Sequence, residues 1–219
     1  MMKNNKKQLI ISSIIILLPI LVGLLLWNYF PERMAIHWNM DGEPNGWSGR
    51  TFAIFGLPLI IFVIHWISAF FITHDPKNKG QSEKVFNIVL WLLPMISLIV
   101  CGYTYAINLG KEISTDIMVR VLLGFLFVIL GNYMPKCKQN HTIGVKVAWT
   151  LRNEENWNKT HRFTGRIWVF GGVFFLATMF VPMKNFKYAF LAIILLLAFV
   201  PMIYSYIYYR KQLKAGTAT

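Results

Sequence analysis

"LIISSIIILLPILVGLLLWNY", Leu9 to Tyr29, carries no charged side chain over 21 residues. At about 1.5 Å of rise per residue, a helix of this length covers a hydrocarbon core about 30 Å thick. Its apolar residues are continuous, not confined to the single stripe of a soluble amphipathic helix. Bare backbone groups are costly in lipid, so the run is expected to be helical. Lys3, Lys6 and Lys7 precede it, as in a signal peptide. The run is longer than a typical signal core, and no small-x-small site follows "LLLWNYF", so it is expected to be retained as a first span.

Five further runs have the same character: Phe52–Ile72, Val85–Leu109, Ile117–Met134, Phe163–Met183 and Phe186–Tyr209. The chain is 56% hydrophobic and only 14% charged, which leaves no room for a sizeable soluble domain. The expected architecture is an all-α membrane protein, residues 1–219 forming a single polytopic domain of six transmembrane helices. Pro19, Pro58 and Pro94 fall inside the first three spans, where neighbouring helices and water satisfy the freed carbonyls. No inverted repeat is evident, which weighs against a transporter built from duplicated halves. The C-terminal "KAGTAT", 214–219, lacks the apolar pattern and is expected to fray.

A formal net charge of +13 raises the question of nucleic acid. With both termini cytoplasmic, sixteen of the 22 Lys and Arg residues fall inside, and Arg33, Arg50, Lys111, Arg120, Lys184 and Lys187 fall outside. That asymmetry follows the positive-inside rule, so the basicity signals topology and suits anionic lipid headgroups of a cell membrane. A direct nucleic-acid partner is not expected. Cys101 and Cys137 read as small buried thiols on opposite sides of the bilayer.

Two connections are long enough to hold a site. The first, 30–50, is "FPERMAIHWNMDGEPNGWSGR" and is expected outside. Asp41-Gly42 and Pro44-Asn45-Gly46 are strong turn signals, so the segment reads as an ordered cap over helix ends. Trp38 and Trp47 fit headgroup-level anchors, and their setting among His37, Asn39 and the turns also suits a binding surface. His37, Asp41 and Glu43 have metal-compatible side chains without a diagnostic spacing, so neither a metal nor a cofactor is expected.

The second connection, 135–162, is expected inside and to lead into the fifth helix. Asn153 is placed as an N-cap with Glu154 and Glu155 in the first turn, and Glu155 and Lys159 form a favourable i,i+4 pair. Trp157, His161, Thr164 and Trp168 then share one helical face, with Thr160 beside them. Upstream, Asn132, Pro135, Asn140 and Gly144 suggest a fixed, hairpin-like connection. Within the spans, His65 is the deepest ionisable residue and is expected to be a neutral partner to a neighbouring helix. Arg120 is expected to snorkel to the interface. A rival reading, a small-solute transporter or intramembrane enzyme, would use His65 or His161 to handle protons.

These segments resemble a known family. "P-x-x-x-A-I-H-W-N-x-x-G-x-P-N-G-W", Pro31 to Trp47, resembles the outer-loop motif of the SdpI/YfhL membrane proteins of Gram-positive bacteria. "GNYMPKCKQNHTIGVKVAWTLRNEENWNKTHRFTG", Gly131 to Gly165, is similar to their cytoplasmic signature. Members commonly show Arg-Thr-Pro where this chain has Lys146, Val147 and Ala148; lysine keeps the charge without the bidentate fork of arginine. The resemblance implies a bacteriocin-immunity protein, without catalysis, that confers resistance to a secreted SDP-type peptide toxin. It also implies signal transduction, in which a cytoplasmic ArsR-type repressor is sequestered at the membrane. On this reading Pro31, His37, Trp38, Asn39, Gly42 and Trp47 meet the toxin. Asn132, Pro135, Asn140, Gly144, Lys146, Trp149, Thr150, Leu151, Asn153, Trp157, Thr160, His161 and Gly165 hold the cytoplasmic state.

Overall fold

The computed structural model describes residues 2–81 and 83–216, so part of the tail expected to fray, 217–219, lies outside the described residues. The chain is mostly helical: α1 (Met2–Leu25), β1 (Arg33–Trp38), β2 (Pro44–Gly49), α2 (Leu57–His74), α3 (Glu83–Asn108), α4 (Thr115–Tyr133), the one-turn α5 (Ala148–Arg152), α6 (Glu154–Ala177) and α7 (Met183–Lys214). A π-helical turn, Phe52–Gly56, leads into α2.

The exposure pattern is that of a protein dissolved in lipid. Ser12, His65, Ser97 and Thr104 are buried, while Leu21, Val63, Phe70 and Leu196 are more than half exposed. Among the described residues five helices are long and apolar enough to cross a membrane: Lys6–Leu25, Phe52–His74, Lys84–Asn108, Thr115–Lys136 and Asn185–Lys214.

As expected, the polar segment leads directly into the fifth run: both lie in α6, which ends at Ala177, where the Thr178 hydroxyl donates back to the Phe174 carbonyl. One expectation needs correction. The chain is not all-α, since residues 33–49 form an antiparallel hairpin pairing Arg33 with Gly49, Met34 with Ser48 and Ala35 with Trp47. Irregularities after Ala35 and after His37 twist the hairpin tip.

The chain divides into two compact units. The first comprises Met1–Thr73 and Phe86–Thr115. Its core holds Phe30, Met34, Ala53, Ile54, Cys101 and Tyr105. Polar side chains join its helices. His65 Nε2 lies 2.8 Å from Ser12 Oγ, Ser97 donates to the Ile16 carbonyl, and Tyr105 donates to the Pro19 carbonyl. His65 is thus the interhelical partner expected of it.

The second unit comprises His74–Val85 and Asp116–Thr219. Here α4 and α6 run antiparallel with their backbones nearly in contact at Gly124–Gly172 and Gly131–Gly165. A methyl carbon on Gly131 would sit 2.8 Å from the Gly165 carbonyl oxygen, and one on Gly172 would sit 2.6 Å from that of Gly124. Small residues permit such approach, and dispersion across it holds helices together in lipid. Pro135 closes the seam, its ring 2.8 Å from where a Gly165 side chain would begin. α7 covers α6 through Phe175, Phe186, Phe190 and Leu197.

Arg120 does not snorkel. It is fully buried, bonded to Asp116 Oδ2 at 2.5 Å and to the Thr178 carbonyl, with its guanidinium over the Phe186 ring. A carboxylate and a helix-end carbonyl within reach make burial cheaper than a stretched path to water.

Gly131→Val should lower stability in detergent micelles by about 1–3 kcal/mol, because the seam has no space for a branched side chain. Gly102→Ala, where an added methyl meets nothing within 4 Å, should not lower the thermal midpoint and should raise it slightly, since alanine is the better helix former.

Candidate functional site

The hairpin is built as a rigid cap. Asn39 shapes its turn: its Oδ1 accepts the Asp41 and Glu43 N–H groups at 3.0 and 2.9 Å, and Gly42 takes a φ of +83°. Such a φ favours glycine at this position. Trp38 packs edge-on against Tyr103 with ring centroids 4.9 Å apart, and Thr115 donates to the Gly42 carbonyl. The Asn108 side chain pairs with both backbone groups of Ala35, accepting its N–H at 2.8 Å and donating to its carbonyl at 2.9 Å. Arg50 ties down the other end, donating to the Trp27 carbonyl and lying over that indole.

The expected outer residues play different parts within this cap. Trp38, Asn39 and Gly42 make the contacts just described within the cap. His37 is exposed, with Nδ1 2.5 Å from Asn45 Oδ1, and Pro31 is exposed and accepts from Arg50 through its carbonyl. Trp47 projects, 52% exposed. Among the described residues no three His, Cys, Asp or Glu side chains gather where a metal could be held.

The second site is an irregular loop, 137–147, between the short 3-10 turn Met134–Lys136 and α5. Its amides have no strand to pair with, so the expected hairpin-like connection is not formed, and side chains take that role. Asn140, fully buried, accepts the Thr142 and Ile143 N–H groups and donates to the Lys138 and Ile143 carbonyls. Thr150 Oγ1 accepts the Val147 N–H and lies 2.8 Å from the Val145 carbonyl. The exposed Lys146 donates to the Thr142 carbonyl.

Beneath the loop lies the expected face of α6. Trp157, Thr160, His161 and Thr164 are buried, and the Trp157 and His161 rings stack at 3.9 Å. Trp157 Nε1 donates to the Cys137 carbonyl, and Leu151 packs on the same cluster. His161 uses both nitrogens: Nδ1 donates to the Trp157 carbonyl at 2.8 Å, and Nε2 accepts the Val145 N–H at 3.1 Å. Only the neutral ring fits, since a proton on Nε2 would face a donor. Burial pushes its pKa down to about 4. Gly144 makes room for the ring. It has a φ of +117°, and a side chain there would begin 2.2 Å from Nε2.

Asn153 caps α6 as expected, accepting the Asn156 N–H, and the Glu155–Lys159 pair forms at 3.0 Å. Tyr208 donates to Glu155 and accepts from Lys159, which lowers the carboxyl's pKa and raises the ammonium's. Trp149 donates to Ser205 and stacks on Tyr209. Asn132 is exposed on α4, outside this cluster.

Sequence reasoning missed the connection between α2 and α3. Asp75 accepts the His141 N–H at 2.7 Å and also caps its own turn at Lys77. Asn78 donates to Thr142, and Gln81 pairs with both the N–H and the carbonyl of Lys138. "DPKNKGQ" carries turn signals, but only burial distinguishes these amides from ordinary loop polarity. Asn156, fully buried and donating to the Ser205 carbonyl, was also missed. Cys137 is a free buried thiol, pushed up to about 11 by burial.

Comparisons with known proteins fall on both segments. The SdpI/YfhL family model matches residues 136–205, which hold most of the signature loop, α6 and much of α7. A domain of unknown function, DUF1648, matches residues 14–62, which hold the hairpin. The chain is 30% identical over 207 residues to the immunity protein SdpI of Bacillus subtilis (strain 168), covering 94% of this chain and 97% of that one. The chain belongs to the SdpI/YfhL family. Together with its apolar helices, this makes it a multi-pass membrane protein. No solved structure matches.

Two outcomes test this geometry. Between pH 6.5 and pH 4 an unfolded chain takes up a proton that folded His161 refuses, so stability should fall as pH drops, by roughly 3 kcal/mol in all. His161→Ala should be less stable at pH 7.5 and should lose this dependence, both readable from unfolding midpoints. Val147 has the extended backbone of an N-cap but no hydroxyl. Val147→Thr, the family's residue, should complete a reciprocal cap with Thr150 and add about 1 kcal/mol in the same assay.

Proposed function

We propose that this protein is a non-catalytic immunity protein protecting its cell from a secreted SDP-type peptide toxin, with the hairpin outside and the signature loop inside. The observation that carries the proposal is the likeness to the immunity protein SdpI over 94% of the chain, which spans both segments. Local chemistry supports it. The hairpin is anchored by Asn108, Arg50 and Tyr103, yet leaves His37 and Trp47 exposed at its surface. The signature loop is a fixed surface carrying exposed Lys138, His141 and Lys146, suited to a protein partner such as an ArsR-type repressor. Signal transfer further requires two bundle arrangements that the toxin biases.

The rival use of His65 or His161 as a proton-handling group is disfavoured. His65 is held by Ser12, and His161 has both nitrogens engaged, leaving no free lone pair for a substrate.

Sensitive cells making this protein should survive added SDP toxin, and those with an empty vector should not. Equal killing, with the protein present in the membrane, rejects immunity. In the same cells, a cysteine replacing Asn45 should react with an impermeant thiol reagent, and one replacing Asn158 only after lysis.

A further inference from the structure

The hairpin has two long edges, and a side chain of the chain itself covers part of one of them. The Arg50 N–H bonds to the Glu32 carbonyl, which sets the phase of the ladder. In the observed register Met34 and Ser48 therefore exchange bonds, while Arg33 and Ala35 on β1, and Trp47 and Gly49 on β2, turn their backbone groups outward. On the β1 side Asn108 takes both groups of Ala35. On the β2 side no group among the described residues pairs with the backbone of Trp47 or Gly49. The open stretch is bounded by Pro44, which has no N–H, and by the helical turn that begins at Arg50.

We propose that this open edge of β2 takes up an extended segment of the peptide toxin as a third strand. The proposal rests on the immunity reading above. Trp47 and Gly49 each present a donor and an acceptor, spaced by two residues or about 6.8 Å, which is the repeat of an extended chain. A polypeptide backbone matches that spacing, and an acyl chain offers no hydrogen-bonding group at all. The half-exposed Trp47 indole adds apolar contact beside the strand. Backbone pairing tolerates varied side chains, so the edge alone does not demand a particular sequence of the peptide it takes up.

Gly49→Pro tests the edge directly. It deletes an outward N–H and no bond within the hairpin. Gly49 does not have a positive φ, and Gly49→Ala is the control because an added methyl there meets nothing within 4 Å. With the full-length protein in lipid nanodiscs and synthetic SDP toxin peptide, Gly49→Pro should weaken binding roughly tenfold or more, and Gly49→Ala should not. In parallel, Gly49→Cys should cross-link to toxin peptides bearing one electrophilic side chain at successive positions, with yields alternating at a period of two. That alternation decides the matter even if Gly49→Pro fails to reach the membrane.

Wild-type binding with unchanged Gly49→Pro affinity, or cross-linking without alternation, overturns strand addition and leaves immunity standing. Disulfide-linked Gly49→Cys dimers in the absence of peptide overturn it in favour of self-association. Wild-type protein that neither binds nor protects overturns both readings.

Discussion

The amides of residues 137–147 have neither helix nor sheet to satisfy them, and the second unit is organised around meeting that need. A buried backbone group left bare costs about as much as a lost hydrogen bond, often more in apolar surroundings. Asn140 serves the loop from within, Gln81 and Asp75 from the α2–α3 connection, and His161 from α6. Each of these side chains is buried, so each is held in place by the contact it satisfies. Removing one strands its partners.

That dependence explains why the signature is dense in amides, hydroxyls and glycine. Asn offers a donor pair and an acceptor on one short stem, so Asn140 closes several turns at once. His161 must stay neutral because the Val145 amide needs its lone pair. Gly144 must lack a side chain because that ring fills the space. The glycine seam beneath serves the same end, bringing α4 close enough to α6 for the turn at Pro135 to rest on Gly165.

The hairpin solves a related problem on a smaller scale. Two strands are marginal alone, so Asn108, Arg50 and Tyr103 support one side of it from the surrounding helices. The stiffness that results makes the segment a surface rather than a tether. It also leaves one backbone edge available, a feature that soluble proteins usually hide.

The sequence by itself determined the solvent: uncharged apolar runs of the right length admit only helices in lipid, and the inverted burial pattern agrees. It determined the N-cap at Asn153, the Glu155–Lys159 pair and the buried face of Trp157, Thr160, His161 and Thr164, because each follows from helical periodicity within a few residues. Only the tertiary structure decided where α6 meets its neighbours, since Gly165 and Gly172 admit the α4 side and Gly171 admits Leu197 of α7 at close range. It also decided that Arg120 is buried, because the Thr178 carbonyl that receives it lies 58 residues away in the chain. The parts played by Asp75, Asn78 and Gln81 were illegible for the same reason. A polar side chain in a loop looks alike whether it faces water or a distant amide, and only the fold brings that amide to it.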